Sequence, residues 1–280
     1  MLIAWKDKSF WMSNFLIKNL DNYIDGVMNK KTSAVFLFDG RSGLGKTTFS
    51  FQVGCYIAKG VAKHFSTRLK KEVEPKFSLD DVAWTPDAFI DKLKKATKGD
   101  IIILDESMIL SNRSSMSEVN RMVIIMMSMI RSKQIFVMFN VNSIFDLEKN
   151  LPLHRADMLV HLYAPEDRFA SRGRYGVVPS AKGKLKNLYI LGKKYYDYSR
   201  SKYAFIDKFP AFFPFDEKEY EKRKQESISA YFESATTTSN KSKDSRDTYI
   251  RHLKESGMSH EVIAGIGGIS TKTVQRALKD

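Results

Sequence analysis

The chain has 280 residues, with 46 Lys and Arg against 32 Asp and Glu, a formal charge of +14 and a pI near 9.6. That length buries one substantial core and a small satellite domain. The positive excess points to a polyanionic partner, nucleic acid or an anionic membrane surface, beside the plainer reading of a well-solvated surface. The single cysteine, Cys55, excludes a disulfide framework and suits a reducing cytoplasm, as a small buried hydrophobe. Residues 1–6 are too short an apolar start for a signal peptide, and the longest greasy stretch, 122–130, is too short to span a bilayer. A cytoplasmic protein without membrane insertion is expected.

In chain order, residues 1–30 mix Trp5, Phe10, Trp11 and Phe15 with an amphipathic pattern through Leu16, Leu20, Tyr23 and Ile24. They predict a helix packed against a sheet. Residues 35–38 are a short apolar run, the signature of a buried parallel strand. The run leads into Gly40, Arg41, Ser42, Gly43, Leu44, Gly45, Lys46 and Thr47, a complete G-x-x-x-x-G-K-[ST] phosphate loop. The glycines let backbone N–H groups turn inward onto a phosphate. Lys46 then reaches the β- and γ-phosphate oxygens, and the Thr47 hydroxyl takes a position on Mg²⁺. Thr47, Thr48, Phe49, Gln52, Val53, Cys55, Tyr56 and Ile57 continue as a helix whose N-terminus adds positive potential at the phosphates. ATP and Mg²⁺ are the cofactors this order of strand, loop and helix calls for.

Residues 61–76 are basic and polar, a solvated helix end and loop. Thr85 reads as an N-cap with Pro86 in the first helical position, opening a helix that runs to about Lys98 and Gly99. Residues 101–104 are a second buried strand ending on two acids, Asp105 and Glu106. Beside a phosphate loop, Asp105 can hold Mg²⁺ through its water shell and Glu106 can polarise an attacking water. By itself the pair also reads as a strand emerging into solvent. A helix over 116–131, with its methionines in the core, leads to a third strand over 134–139. Asn140 beyond it either orients the lytic water or simply closes the strand into a turn, and Asn142 lies two residues on. A fourth strand is predicted over 158–163. Alternating strands and helices give the fold class: α/β, a mostly parallel P-loop sheet with helices on both faces and a core over 33–165. Arg113, Arg121, Arg131 and Arg155 are candidates to supply charge to a neighbouring subunit's γ-phosphate, with Arg131 and Arg155 preferred.

From residue 166 the texture changes. Residues 166–203 hold ten Lys and Arg against three acids, with six tyrosines, and read as short strands and hairpins. They would be either a surface that stacks on bases and tracks phosphates or a sheet edge protected by lysines. This basic, β-rich extension over 166–215 completes an ATPase domain spanning 1–226, whose last element is a charged helix over 216–226. Residues 227–247 are a Ser-, Thr- and Lys-rich flexible linker. Residues 248–280 regain apolar periodicity as a separate helical unit. There Ala264, Gly268 and Val274 have the spacing of a helix-turn-helix: a small residue under the crossing, a turn glycine, and an anchor for the recognition helix. Ser270 would cap that helix, while Thr271, Lys272, Thr273, Gln275 and Arg276 face outward toward base edges and phosphates. A small helical hairpin for protein contacts is the other reading. One such unit binds weakly and gains from multivalency.

Residues 40–47, the strand with Asp105 and Glu106, the helix with Asn120 and Arg131, and the strand ending at Asn140 resemble the RecA-like P-loop ATPases with a catalytic glutamate. Within them, Asp105, Glu106 and Ser107, then Asn120, Arg131, and Leu153, His154, Arg155, Ala156 and Asp157 are similar to FtsK/HerA-type motors, including the Zot-like ATPases of phages and archaeal mobile elements. The resemblance covers roughly 33–165. It implies a ring- or filament-forming homo-oligomeric ATPase that moves or packages DNA, with Lys46, Thr47, Asp105 and Glu106 carried over. Two departures stand out. The family usually has Gln where this chain has Asn140, and its Zot-like members often carry a membrane helix that is missing here. An ATP-regulated DNA-binding switch or loader is the first alternative, favoured by ATP-dependent DNA binding without movement. A small-molecule kinase with a DNA-binding regulator is the second, and the Asp-Glu pair counts against it.

Overall fold

A computed structural model describes residues 1–105, 129–130, 132–164, 173–230, 250–251, 254, 259–267 and 270–278. The chain divides into two compact units, Met1–Lys224 and Gln225–Asp280. In the first, the described strands beyond an amino-terminal hairpin form one sheet in the order β4-β5-β6-β3-β7-β8-β9. Here β3 is Ala34–Asp39, β4 Val82–Ala83, β5 Ile101–Leu104, β6 Phe136–Asn140, β7 Met158–Tyr163, β8 Arg174–Pro179 and β9 Phe205–Lys208. Strands β4 to β7 run parallel, and β8 and β9 extend the sheet antiparallel.

Every residue of β3 is buried, because the strand is covered on both faces. Side chains alternate across a strand. Phe36 meets Tyr23 of helix α1 (Asn14–Asn29), and Phe38 meets Phe49 of helix α2 (Lys46–Leu69), at centroid distances of 5.0 and 6.0 Å. Val35 and Leu37 point the other way, into a layer with Phe89 and Leu93 of α3 (Pro86–Lys95) and Leu185 and Leu188 of a later helix. Truncating a side chain such as Leu37 would leave a cavity costing about 2–5 kcal/mol. The expected mostly parallel sheet with helices on both faces is therefore the architecture found. Thr85 caps α3 through Ala88 N, as the sequence predicts, but α3 stops at Lys95 rather than near Gly99.

Three expectations need correction. Of the amino-terminal aromatics only Phe15 lies in a helix: Trp5, Phe10 and Trp11 belong to a hairpin in which β1 (Leu2–Trp5) pairs antiparallel with β2 (Lys8–Trp11), and α1 starts only at Asn14. The alternation of Ile3 and Trp5, both buried, is the period of a strand. The hairpin is fastened by Lys59 Nζ on Ala4 O and by Phe10 stacked on Phe212. Second, the basic extension is not all strand. Helix α4 (Asn150–His154) precedes it, and within it Lys184–Gly192 form helix α5, burying Leu185, Leu188, Tyr189 and Gly192 on one face. Third, residues 217–230 are helical, so the first four linker positions, 227–230, continue a helix. Positions 231–247, and most of the helix expected over 116–131, lie outside the described residues.

In the second unit, α6 (His260–Gly267) and α7 (Thr271–Ala277) share a small core of Ile250, Ile263, Ala264, Val274 and Ala277. Ser270 caps α7 through Thr273 N at 3.2 Å. Among the described residues, no helix is long and apolar enough to cross a membrane.

Asp157, at the start of β7, accepts the Val35 N–H at 2.8 Å, and burial pushes its carboxyl up to about 6. The folded state thus holds this proton above the ordinary carboxylate range. Its contribution to stability is complete below that range and is lost as pH rises through about 6. Thermal melts of Asp157→Asn should show a stability advantage over wild type that grows from pH 4 to pH 7; an advantage independent of pH would contradict the buried-carboxyl account.

Candidate functional site

The site forms at the carboxyl edge of the parallel strands, where β3 runs into the phosphate loop. At Gly40, φ is +135° and a Cβ would lie 2.3 Å from the Leu162 carbonyl oxygen, so only glycine fits between loop and β7. Gly45, at φ +91°, hands the chain to α2 with the Phe209 ring against it. The N-terminus of α2 opens at Lys46, pointing backbone N–H groups toward any anion in the loop. Lys46 Nζ reaches Gly40 O at 2.6 Å, Arg41 O at 3.1 Å and Asn142 Oδ1 at 3.2 Å.

Strand β6 lies between β3 and β5, and this order sets the chemistry. Phe38 pairs with Asn140, and Leu104 with Phe139, so Asp105 and Asn140 stand side by side next to the loop. Asn140 Nδ2 donates to Asp105 Oδ1 at 2.8 Å and to Ser50 Oγ at 3.0 Å, and Asn140 is almost wholly buried. Thr47 Oγ1 donates to the same carboxylate, 3.0 and 3.3 Å from its two oxygens. Two oxygen ligands in adjacent positions of an octahedral Mg²⁺ at 2.0–2.1 Å sit about 2.9 Å apart. The Thr47–Asp105 spacing and its hard oxygen donors therefore fit a small divalent cation. A cavity of about 460 Å³ adjoins them, within the range of ligand pockets, and Ser42 to Thr48, Asp105, Asn140 and Asn142 line it. Lys46, Thr47, Asp105 and Asn140 thus share one cavity.

The other predicted residues divide. Glu106 and Arg131 lie outside the described residues, as do Arg113, Asn120 and Arg121. Arg155 is exposed at the end of α4, before β7 begins, at the edge of the sheet opposite the phosphate loop. In α7, Thr271, Lys272, Gln275 and Arg276 are exposed, while Thr273 is partly turned inward with its hydroxyl on Ser270 Oγ at 2.9 Å.

Sequence reasoning missed two groups. Asp39, wholly buried at the end of β3, accepts from Ile144 N at 3.1 Å, from His161 Nδ1 at 2.7 Å and from the Tyr198 hydroxyl. A carboxylate only accepts, so the proton of that His161 contact sits on Nδ1. Together with Gly40 N on Asn142 O at 3.3 Å, Asp39 ties the segment after β6 to the loop and so places Asn142 against Lys46. A polar residue at the end of an otherwise apolar strand was the available signal. The second group is Tyr220, whose hydroxyl donates to Asp105 Oδ2 at 2.5 Å. Burial and the Asp105 charge push this phenol far up, so it acts as a donor. Nothing local in the sequence marks it.

No family model matches the chain, and no curated protein matches it. Among solved structures the chain is similar to B204, the DNA-packaging ATPase from Sulfolobus Turreted Icosahedral Virus. The identity is 15% and the TM-score 0.34, over 53% of this chain and 93% of that one.

Asp39→Asn replaces an acceptor oxygen with a donor facing three donors. It should lower the unfolding free energy by about 2 kcal/mol in urea titrations. Unchanged stability would remove Asp39 from the loop's support.

Proposed function

We propose that the protein is an ATP-hydrolysing, DNA-associated motor or remodeller of the translocation or packaging type, acting as a homo-oligomer. The observation that carries this reading is the hydrogen-bonded set of Thr47, Asp105 and Asn140 beside Lys46 in one cavity at the mouth of a complete phosphate loop. On this reading Gly40 to Thr48 hold the triphosphate through backbone N–H groups, and the Lys46 ammonium neutralises charge on its β- and γ-oxygens. Thr47 and Asp105 would hold Mg²⁺, which supplies further charge neutralisation when bound. Asn140 fixes the orientation of Asp105 through its 2.8 Å hydrogen bond, a positioning role rather than direct contact with water. Glu106 follows Asp105 in sequence and polarises the attacking water, taking its proton as the oxygen attacks in line. Arg155, on the opposite sheet edge from its own loop, suits a charge delivered to a neighbouring copy, and Arg131 is the other candidate for that role.

The carboxy-terminal unit is read as a helix-turn-helix that tethers the ATPase to DNA. Support comes from the capped α7, its anchor Val274 in the core, and the exposed Lys272, Gln275 and Arg276. The chain's net charge of +14 adds a long-range attraction to phosphates.

Turnover measured with and without single- and double-stranded DNA, alongside particle size with and without ATP, tests the whole reading. DNA should stimulate hydrolysis, and Glu106→Gln should lower turnover by about a hundredfold or more with nucleotide affinity retained. Lys272→Ala with Arg276→Ala should weaken DNA binding and flatten its salt dependence. Absence of any DNA effect on rate or assembly would sink the motor, and ATP-dependent DNA binding without displacement of a roadblock would favour the switch.

A further inference from the structure

The cavity at the phosphate loop is covered by the chain's own segment 209–224. Phe209, Ala211, Phe213, Glu217, Tyr220, Glu221 and Lys224 line it from that side. The cover is fastened in several places. Gln52 Nε2 donates to Pro210 O at 2.8 Å and to Phe212 O at 2.7 Å, clamping the segment to α2. Phe213 and Phe215 pack on Phe51 at 5.4 and 5.3 Å. Arg223 pairs with Asp80 at 2.6 Å. Within this frame Tyr220 is 3% exposed, its ring against Phe51, Phe213 and Trp84 at centroid distances of 5.7, 5.4 and 5.9 Å.

The three donors on Asp105 are not equivalent. Thr47 gives its proton to the carboxylate and still has oxygen lone pairs for a cation. Asn140 holds Oδ1 from the neighbouring strand. Tyr220 takes Oδ2 from the cavity side, where a cation or its water would come. It is a donor facing an acceptor, with no charge to offer the phosphates. Glu217, Glu221 and Lys224 of the same segment add charges of both signs to the lining.

We propose that Tyr220 is a gate on the metal position: its hydroxyl, bonded to Asp105, competes with Mg²⁺·nucleotide for that carboxylate and has to leave when the complex loads. This rests on the nucleotide-site reading above. It makes the cover a competitor of the metal rather than a part of the catalytic set. Nucleotide without metal, which has no need of Asp105, would load without displacing the hydroxyl.

Tyr220→Phe keeps the ring in its aromatic cluster and removes only the hydroxyl. Affinity for a fluorescent ATP analogue would be measured by titration twice, in excess EDTA and in excess Mg²⁺. A hydrogen bond to a charged group is worth enough to shift an equilibrium about tenfold or more. The variant should therefore bind the Mg²⁺ complex about tenfold more tightly than wild type, with affinity in EDTA unchanged. Arg223→Ala, an exposed change that loosens the same helix, should move the Mg²⁺ value in the same direction by a smaller factor, and it serves if Tyr220→Phe does not fold. Unchanged or weaker Mg²⁺-dependent binding in these variants would overturn the gate and leave the nucleotide site standing. Failure of wild type to bind nucleotide in either condition would instead overturn the reading on which the gate rests.

Discussion

One carboxylate organises the site. Asp105 ends β5, yet its partners come from the phosphate loop, from β6 and from a helix 115 residues further along the chain. That convergence depends on strand order. Were β5 to lie directly beside β3, Asn140 would lose its place between loop and acid. Because β6 is inserted there, the amide settles one oxygen of Asp105 while the Thr47 hydroxyl reaches across from α2. A buried charge without such donors would be costly to keep, so the donors explain how an acid can stand at the end of a strand as apolar as Ile101–Leu104.

The support of the loop follows the same logic on its other flank. Asp39, one residue before Gly40, gathers donors from the segment after β6, from β7 and from the region before β9. Two buried carboxylates, at the ends of β3 and β5, thus bracket the loop. Asp39 fixes the backbone around it, and Asp105 faces the cavity. Both are aspartates at strand ends, yet the groups that contact them divide their roles.

Much of this was legible before any fold was known, where the information was local. The loop occupies eight consecutive positions, and the strands before it and before Asp105 are continuous apolar runs, so period and motif sufficed. Asn140 was legible as a polar strand end, but its contact with Asp105 depends on β5 and β6 being neighbours. The amino-terminal hairpin was misread because its aromatics were assigned to the helix that follows, although Ile3 and Trp5 alternate as strand residues do. Helix α5 was misread for the opposite reason. Its buried Leu185, Leu188, Tyr189 and Gly192 recur at helical spacing, but the surrounding lysines and tyrosines drew attention to charge. Asp39 was legible only as a polar strand end; its meeting with His161 and Tyr198, and that of Tyr220 with Asp105, could not be read. Their contacts join residues more than a hundred positions apart, and no periodicity encodes such a meeting.

The close seat of Gly40 against Leu162 has a consequence for selectivity. A loop held this tightly is ordered before its ligand arrives, so binding costs little conformational entropy there. On the proposed reading it grips the phosphate tail of any nucleoside triphosphate alike. Recognition of the base then falls to the rest of the lining, where Phe209, Ala211 and Phe213 present two rings and a methyl group. Such surfaces stack on purines without counting their exocyclic amino and keto groups.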